Sequence, residues 1–334
     1  MRDTSQIDVS SLYAYQKVLS LWRHIGTVAG FAYFGLFIIF AILLNNPAIP
    51  EGSTTYNTLN STFGISLFTV VAMGWFAGIR YYYLRGKHHL KVVREFISDN
   101  NWKAKRESPA DKIPSILLGA STYRLQYYPF NGTYKGQRFS CTLYEFETKT
   151  SQTRRFICVN FKLPKSYPML IIDNRLNDKS WLLSTLPARL PNRAQLKLEG
   201  DFDSYYTTST TKGSEHHAMH VLSPDIMAVL KDNAAHMVDI EIANKNLFLM
   251  YEADFFTEKN VESIFTVADA ILREFKGLSR SWMESSKGEE RVIAKTALAA
   301  RNKLVYRPDY LAFIGMGLAL VWTIGIMISS GMNG

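Results

Sequence analysis

The stretch Ile25–Leu84 constrains this chain more than any other. It opens with IGTVAGFAYFGLFIIFAILL, about 20 residues without a charge, which is the length that crosses a bilayer core. After a short polar link, FGISLFTVVAMGWFAGIRYYYL returns, charge-free as far as Arg80. Two such segments so closely joined predict an antiparallel membrane hairpin. A third apolar stretch, Leu311–Ile328, predicts a further span near the C-terminus. The chain is therefore expected to divide into an amphipathic arm (1–24), a transmembrane hairpin (25–84), a soluble domain (85–278), a basic linker or helix (279–308) and a third transmembrane helix (309–330).

Charge sets the expected orientation. The net charge of +9 is unevenly placed. Eight Lys/Arg lie between Arg80 and Arg106, five lie between Arg291 and Arg307 with no acid, and twelve Asp/Glu face five Lys between Gln195 and Glu262. The link between the first two spans carries no Lys or Arg. The positive-inside rule then places the N-terminus, the large domain and Arg301–Arg307 on the cytoplasmic side of a plasma membrane. Arg80, Arg85, Lys87, Lys91 and Arg94, with Arg301, Lys303 and Arg307, form basic flanks suited to anionic headgroups. A basic edge beside an acidic domain argues against nucleic acid, which needs a basic face on the folded domain itself. The spans contain no Asp, Glu, Lys or Arg, which argues against a pump or voltage sensor. Gly26/Gly30 and Gly74/Gly78 are expected to face each other at similar depth and let the two helices approach.

In the arm, Leu12, Tyr15, Leu19 and Trp22 recur at helical spacing. This reads either as an interfacial helix or as an extension of the first span. Leu90, Val93, Phe96 and Ile97 mark a short amphipathic helix. The period then changes to two: Phe139–Leu143 and Ile157–Phe161 predict a β-hairpin turning about TKTSQT. If its centre is Lys149-Thr150, Cys141 and Cys158 lie opposite each other, and a reducing compartment keeps both thiols free. Ser223 is expected to cap a helix from Pro224 to Lys231. Val238, Ile240 and Ile242 alternate with Asp239 and Glu241, and Asn244-Lys245-Asn246 reads as a turn leading to Leu247–Tyr251. Thr257 caps a last helix with one apolar face, which Gly277 is expected to end. The domain is thus predicted to be α+β, with antiparallel hairpins covered by helices.

Asp201-Phe202, Tyr205-Tyr206, Glu215, Leu222-Ser223-Pro224 and the run Asn-Lys-Asn-Leu-Phe together resemble a family of bacterial membrane-anchored proteins known by a domain of unknown function. The resemblance implies a transmembrane hairpin followed by a soluble α+β domain, and no catalytic residue.

Candidate chemistry is sparse. His216 and His220 are weak metal candidates; the proline-capped helix places them before its start, on one face of a strand, and no third ligand is assignable. Asp201 and Asp203 flank a phenylalanine on a turn. There is no phosphate-cradling loop, nucleophile elbow or dinucleotide fingerprint, and no cofactor is implied. Three readings follow: a membrane-tethered cytoplasmic domain that acts by binding (scaffold, sensor or assembly subunit, with a protein partner or a second copy of itself), a membrane-bound enzyme with a polar site around Asp201–His220, or a homo-oligomeric channel or pore.

Overall fold

The computed structural model describes residues 7–44, 53–84, 88–105, 115–118, 123–147, 153–178, 186, 188–189, 193–281 and 305–306. The expected third span lies outside them, as do Arg85, Lys87, Arg301, Lys303 and Arg307. The chain divides into two compact units, Asp8–Asn100 and one made of Met1–Ile7 with Asn101–Gly334.

The first unit holds three helices, α1 (Ser10–Leu44), α2 (Thr54–Tyr83) and α3 (His89–Asp99). Helices α1 and α2 are long and apolar enough to cross a bilayer. Helix α1 is unbroken over 35 residues, so arm and first span are one element. Its opening turns pack against α3. Leu12, Tyr15 and Leu19 on α1, and Val92, Val93, Phe96 and Ile97 on α3, are all buried. Arm and first span are thus continuous, and α3 offers the arm's apolar stripe an amphipathic face of its own. Tyr15 Oη donates to the Leu84 carbonyl at 3.1 Å. The Asp8 amide donates to Asn100 Oδ1 at 2.8 Å, and Asn100 Nδ2 returns a bond to the Asp8 carbonyl at 2.9 Å.

The approach of α1 and α2 is narrower than the four glycines predict. A Cβ on Gly74 would lie 3.7 Å from Ala29 Cβ, and one on Gly26 would lie 3.9 Å from Ala77 Cβ. A Cβ on Gly30 or Gly78 would meet nothing within 4 Å. The close faces are thus glycine against alanine, and Gly30 and Gly78 are not part of them. Gly74→Ile should overpack the helix pair and cost about 1–3 kcal/mol, while Gly30→Ile should leave its melting in detergent unchanged. Equal melting temperatures for the two variants would contradict this contact.

The second unit is built on one long strand. Its strands are β1 (Lys103–Ala104), β2 (Tyr123–Tyr134), β3 (Gln137–Glu147), β4 (Thr153–Asn174), β5 (Ala188–Arg189), β6 (Arg193–Leu196), β7 (Tyr206–Thr211), β8 (Asp239–Glu252) and β9 (Val305–Tyr306). Its helices are α4 (Phe202–Tyr205), α5 (Glu215–Val221), α6 (Pro224–Asp232) and α7 (Glu258–Ser281). Strand β4 runs 22 residues and carries β8 along one edge. Its other edge holds β3 first and β7 second. Every pairing is antiparallel, in a seven-stranded sheet, with β5 and β9 apart from it. The unit is α+β, as the alternation predicts.

The turn expected at Asn244-Lys245-Asn246 is a bulge, set opposite an irregularity in β4. Pro164 and Pro168 do not end the strand; the β4–β8 register shifts between Lys162 and Leu170 instead. Proline is tolerated there because the ladder is already interrupted. Opposite this irregularity, Asn244 takes a left-handed φ of 54° and pairs with Tyr167. Asn244-Lys245-Asn246 therefore continues one 14-residue strand rather than reversing it.

The helix signals fare better. Ser223 Oγ accepts from the Ile226 amide at 3.4 Å and Pro224 opens α6. Thr257 Oγ1 accepts from the Asn260 amide at 3.3 Å, and Asn260 Oδ1 accepts from the Thr257 amide at 2.9 Å, a reciprocal cap on α7. The helix passes through Gly277 to Ser281, where the expectation stops it short. Its buried stripe (Val261, Ile264, Phe265, Ala268, Ile271 and Phe275) packs on one face of the sheet, where the Phe265 ring meets those of Phe139 and Phe161.

The other sheet face is also covered. Ile116, Leu117 and Leu118 sit in one apolar cluster with Tyr144, Phe156, Cys158, Met169, Phe248 and Met250. Cys158 pairs with Thr142, and Cys141 with Val159. The register is one residue away from the expected one, and a one-residue slip turns a side chain to the other face. Cys141 and Cys158 thus lie on opposite faces, both free and buried.

A buried carboxylate as candidate functional site

Strand β8 places Asp239 and Glu241 two residues apart, hence on one face. In a half-exposed sheet that face would meet water. Here both faces are covered, and both carboxylates are fully buried. A buried charge must be neutralised or supplied with donors. Asp239 Oδ1 accepts from the Asn174 amide at 2.9 Å and from Asn177 Nδ2 at 3.0 Å. Glu241 accepts from Ser115 Oγ at 2.7 Å, from the Ile116 amide at 2.5 Å and from the Leu117 amide at 3.2 Å.

The Ser115–Leu118 segment is held at a third point. Ser115 Oγ accepts from the Leu118 amide at 3.1 Å, and Tyr144 Oη donates to the Leu118 carbonyl at 3.0 Å. Between these polar anchors, Ile116, Leu117 and Leu118 fill the apolar cluster. Burial is the largest influence on Glu241 and pushes its carboxyl from the ordinary 4.5 up to about 7. The three donors pull the other way and do not offset it. Asp173 and Asp239 lie on the same face, as does Cys158, whose thiol is pushed up by burial first and by the Glu241 charge second. Cys141, on the far face, is raised well above its usual range by burial. Neither thiol is therefore a ready nucleophile.

The residues singled out from the sequence are placed otherwise. The stretch from Glu215 to Val221 is helix α5, not a strand, because Pro224 opens a second helix and leaves room for one before it. His216 and His220 consequently sit one turn apart and exposed, with ring centroids 4.8 Å apart and edge-on. Among the described residues no group of three His, Cys, Asp or Glu is arranged to hold a metal. His236 faces Ser263 Oγ at 3.3 Å. Asp201 pairs with Lys231 at 2.7 Å on the surface, and that ammonium holds its carboxyl below the usual range. The Asp203 carbonyl accepts from Arg175 Nη1 at 2.7 Å. Among the described residues, no hydrogen bond or ion pair joins these acids to the histidines.

Of the basic flank, Arg80 stacks over Tyr83 at 5.4 Å, and Lys91 meets Glu95 at 3.6 Å on the exposed face of α3, next to the exposed Arg94. Sequence reasoning missed Glu241. The signal that could find it is a pair of acids inside a long run of strand-forming residues, VDIEIA, in a chain whose β4 is apolar on both faces.

No family model and no curated protein matches the chain. Among solved structures, the crystal structure of the mycobacterial trehalose monomycolate transport factor A, TtfA, is similar over 60% of this chain and 99% of that one. The identity is 9% and the TM-score 0.41. Nothing is carried from that protein to this one.

Proposed function

We propose that this chain is an integral membrane protein of the bacterial membrane-anchored type that its sequence resembles, whose α+β unit acts by binding rather than by catalysis. The observation that carries the membrane reading is the outer surface of α1 and α2. Phe31, Phe68 and Trp75 are 75%, 76% and 75% exposed, and Phe34, Ile39, Ile42, Phe76 and Ile79 are exposed beside them. A protein in water hides such side chains at about 1.5–3 kcal/mol each, and a contiguous surface of them marks a membrane or partner contact. Their length along two paired helices matches a bilayer core. Tyr81, Tyr82 and Tyr83, with Arg80, supply the aromatic and basic residues that settle at a headgroup boundary. The charge asymmetry about the hairpin supports a cytoplasmic N-terminus and domain, and the uncharged Leu311–Ile328 stretch supports a third span.

The binding reading rests on what the polar groups of the second unit already do. Glu241 is engaged with the chain's own backbone, the thiols are buried in apolar layers, and the exposed imidazoles are oriented by no hydrogen bond among the described residues. A scaffold, sensor or assembly subunit held near anionic lipid fits these facts. Membrane fractions washed with alkaline carbonate should retain the full chain, and detergent should release it. A cysteine at Asn57, in an otherwise cysteine-free chain, should react with an impermeant maleimide from outside the cell, and one at Asp99 should not. Release by carbonate would overturn the membrane reading, and the reverse labelling pattern would overturn the orientation.

A further inference from the structure

We propose that Glu241 and the Ser115–Leu118 segment form a proton-linked latch over one face of the sheet, closed while the carboxyl holds a proton and loosened when it loses it. The geometry supplies both parts of the device. The segment is fastened at its start by a single fully buried side chain, through one hydroxyl and two amide donors. Its apolar residues are buried in one cluster with Tyr144, Phe156, Cys158, Met169, Phe248 and Met250 of the sheet. With the segment lifted, Glu241 would be solvated and titrate near its ordinary 4.5; with it seated, burial raises the carboxyl to about 7.

The direction follows from linkage. The state with the higher carboxyl pKa binds protons more tightly, so protonation favours the seated segment and deprotonation favours release. A neutral carboxyl keeps two of the three contacts: Oε1 still accepts from the Ile116 amide, and Oε2 donates to Ser115 Oγ. Among the described residues, the titratable groups that share the face of Glu241 are Asp239 on its own strand and Asp173 and Cys158 on β4, and the Cys158 thiol feels its charge. Ser209 on β7, paired with Ile171, is neutral, and Tyr144 on β3 donates to the segment itself. No cation among the described residues faces the carboxylate to hold it ionised, so desolvation sets the sign. The loosened state bares an apolar sheet face containing Cys158 on a cytoplasmic domain near neutral pH, which makes the pH of the compartment an input to whatever that face contacts.

Hydrogen exchange on the full chain in lipid nanodiscs tests this. The Ile116 and Leu117 amides, corrected for intrinsic exchange, should lose about tenfold in protection between pH 6 and pH 8 and level off above. Amides of the β3–β4 ladder should hold constant. Glu241→Gln should flatten the profile. If that variant does not fold, the wild-type profile is accompanied by alkylation of the two thiols, each rate taken relative to the same thiol in the unfolded chain at the same pH. Cys158 should then follow the loss of protection while Cys141, on the opposite face, does not. Flat protection of Ile116 and Leu117 from pH 6 to pH 8 would overturn the latch, and so would parallel labelling of both thiols, which reports global unfolding.

Discussion

Phe265→Ala is expected to cost the sheet-bearing unit about 3–5 kcal/mol, at the upper end for single core truncations. The ring is the hub between α7 and the sheet. It stacks on Trp102 with centroids 5.9 Å apart and meets Tyr134 at 5.0 Å, Phe139 at 5.1 Å and Phe161 at 6.3 Å. Trp102 in turn stacks on Phe130 at 5.3 Å and meets Phe139 edge-on at 5.0 Å. The site is already at its packing limit: a Cβ on Gly132 would lie 2.6 Å from the Trp102 ring and 2.7 Å from that of Phe139. Neighbours so constrained cannot collapse into the space left by a phenyl ring, so the cavity persists and its cost is added to the lost burial. Denaturant unfolding of the full chain in detergent, followed by tryptophan fluorescence, reads the change directly because Trp102 lies against the ring. Phe265→Leu should recover part of the loss. A change under 1 kcal/mol for Phe265→Ala would mean that α7 is not held to the sheet by this cluster.

Much of this architecture is legible in the sequence where one side chain class repeats at one period. The two apolar helices, the β3–β4 pairing, and the caps at Ser223 and Thr257 follow from spacing and from local hydrogen-bonding chemistry. What is not legible depends on the second layer over the sheet. Alternation of Val238, Ile240 and Ile242 with Asp239 and Glu241 reads as an inside and an outside, but Ile116 and Leu117 cover the acidic side and make it an inside as well. Local rules also cannot tell a turn from a bulge at Asn244-Lys245-Asn246. Asparagine takes φ > 0 in both, and only the register of the partner strand decides. The same limit applies to Cys141 and Cys158: the length of the 148–152 connection leaves the register open by one residue, and one residue decides the face. The histidines show a propensity argument failing at a boundary, since a cap at Ser223 excludes a continuous helix but not a separate one ending just before it.

The arm is the last such case, and Phe96→Asp separates its two readings. Leu12, Tyr15, Leu19 and Trp22 at helical spacing suit a headgroup surface as well as a protein surface, because both reward one apolar stripe. The structure turns Leu12, Tyr15 and Leu19 inward, in a unit where α3 turns Val92, Val93, Phe96 and Ile97 inward too and where Asp8 and Asn100 exchange hydrogen bonds. Phe96 is fully buried there. An aspartate in its place carries an unpaired charge into that contact, at a cost of about 4 kcal/mol or more, beyond what a short helix pair can absorb. Helix α3 should come away from α1, and hydrogen exchange in nanodiscs should show the amides of His89–Asp99 losing protection while the middle of α2 keeps it. The opening turns of α1 should lose protection with α3, because a lone extension outside the bilayer has no partner to hold it. An arm lying on the headgroups would keep its protection whatever happens at Phe96, since lipid rather than α3 would cover its apolar stripe. Unchanged exchange over Ser10–Trp22 in Phe96→Asp would therefore return the arm to the membrane surface.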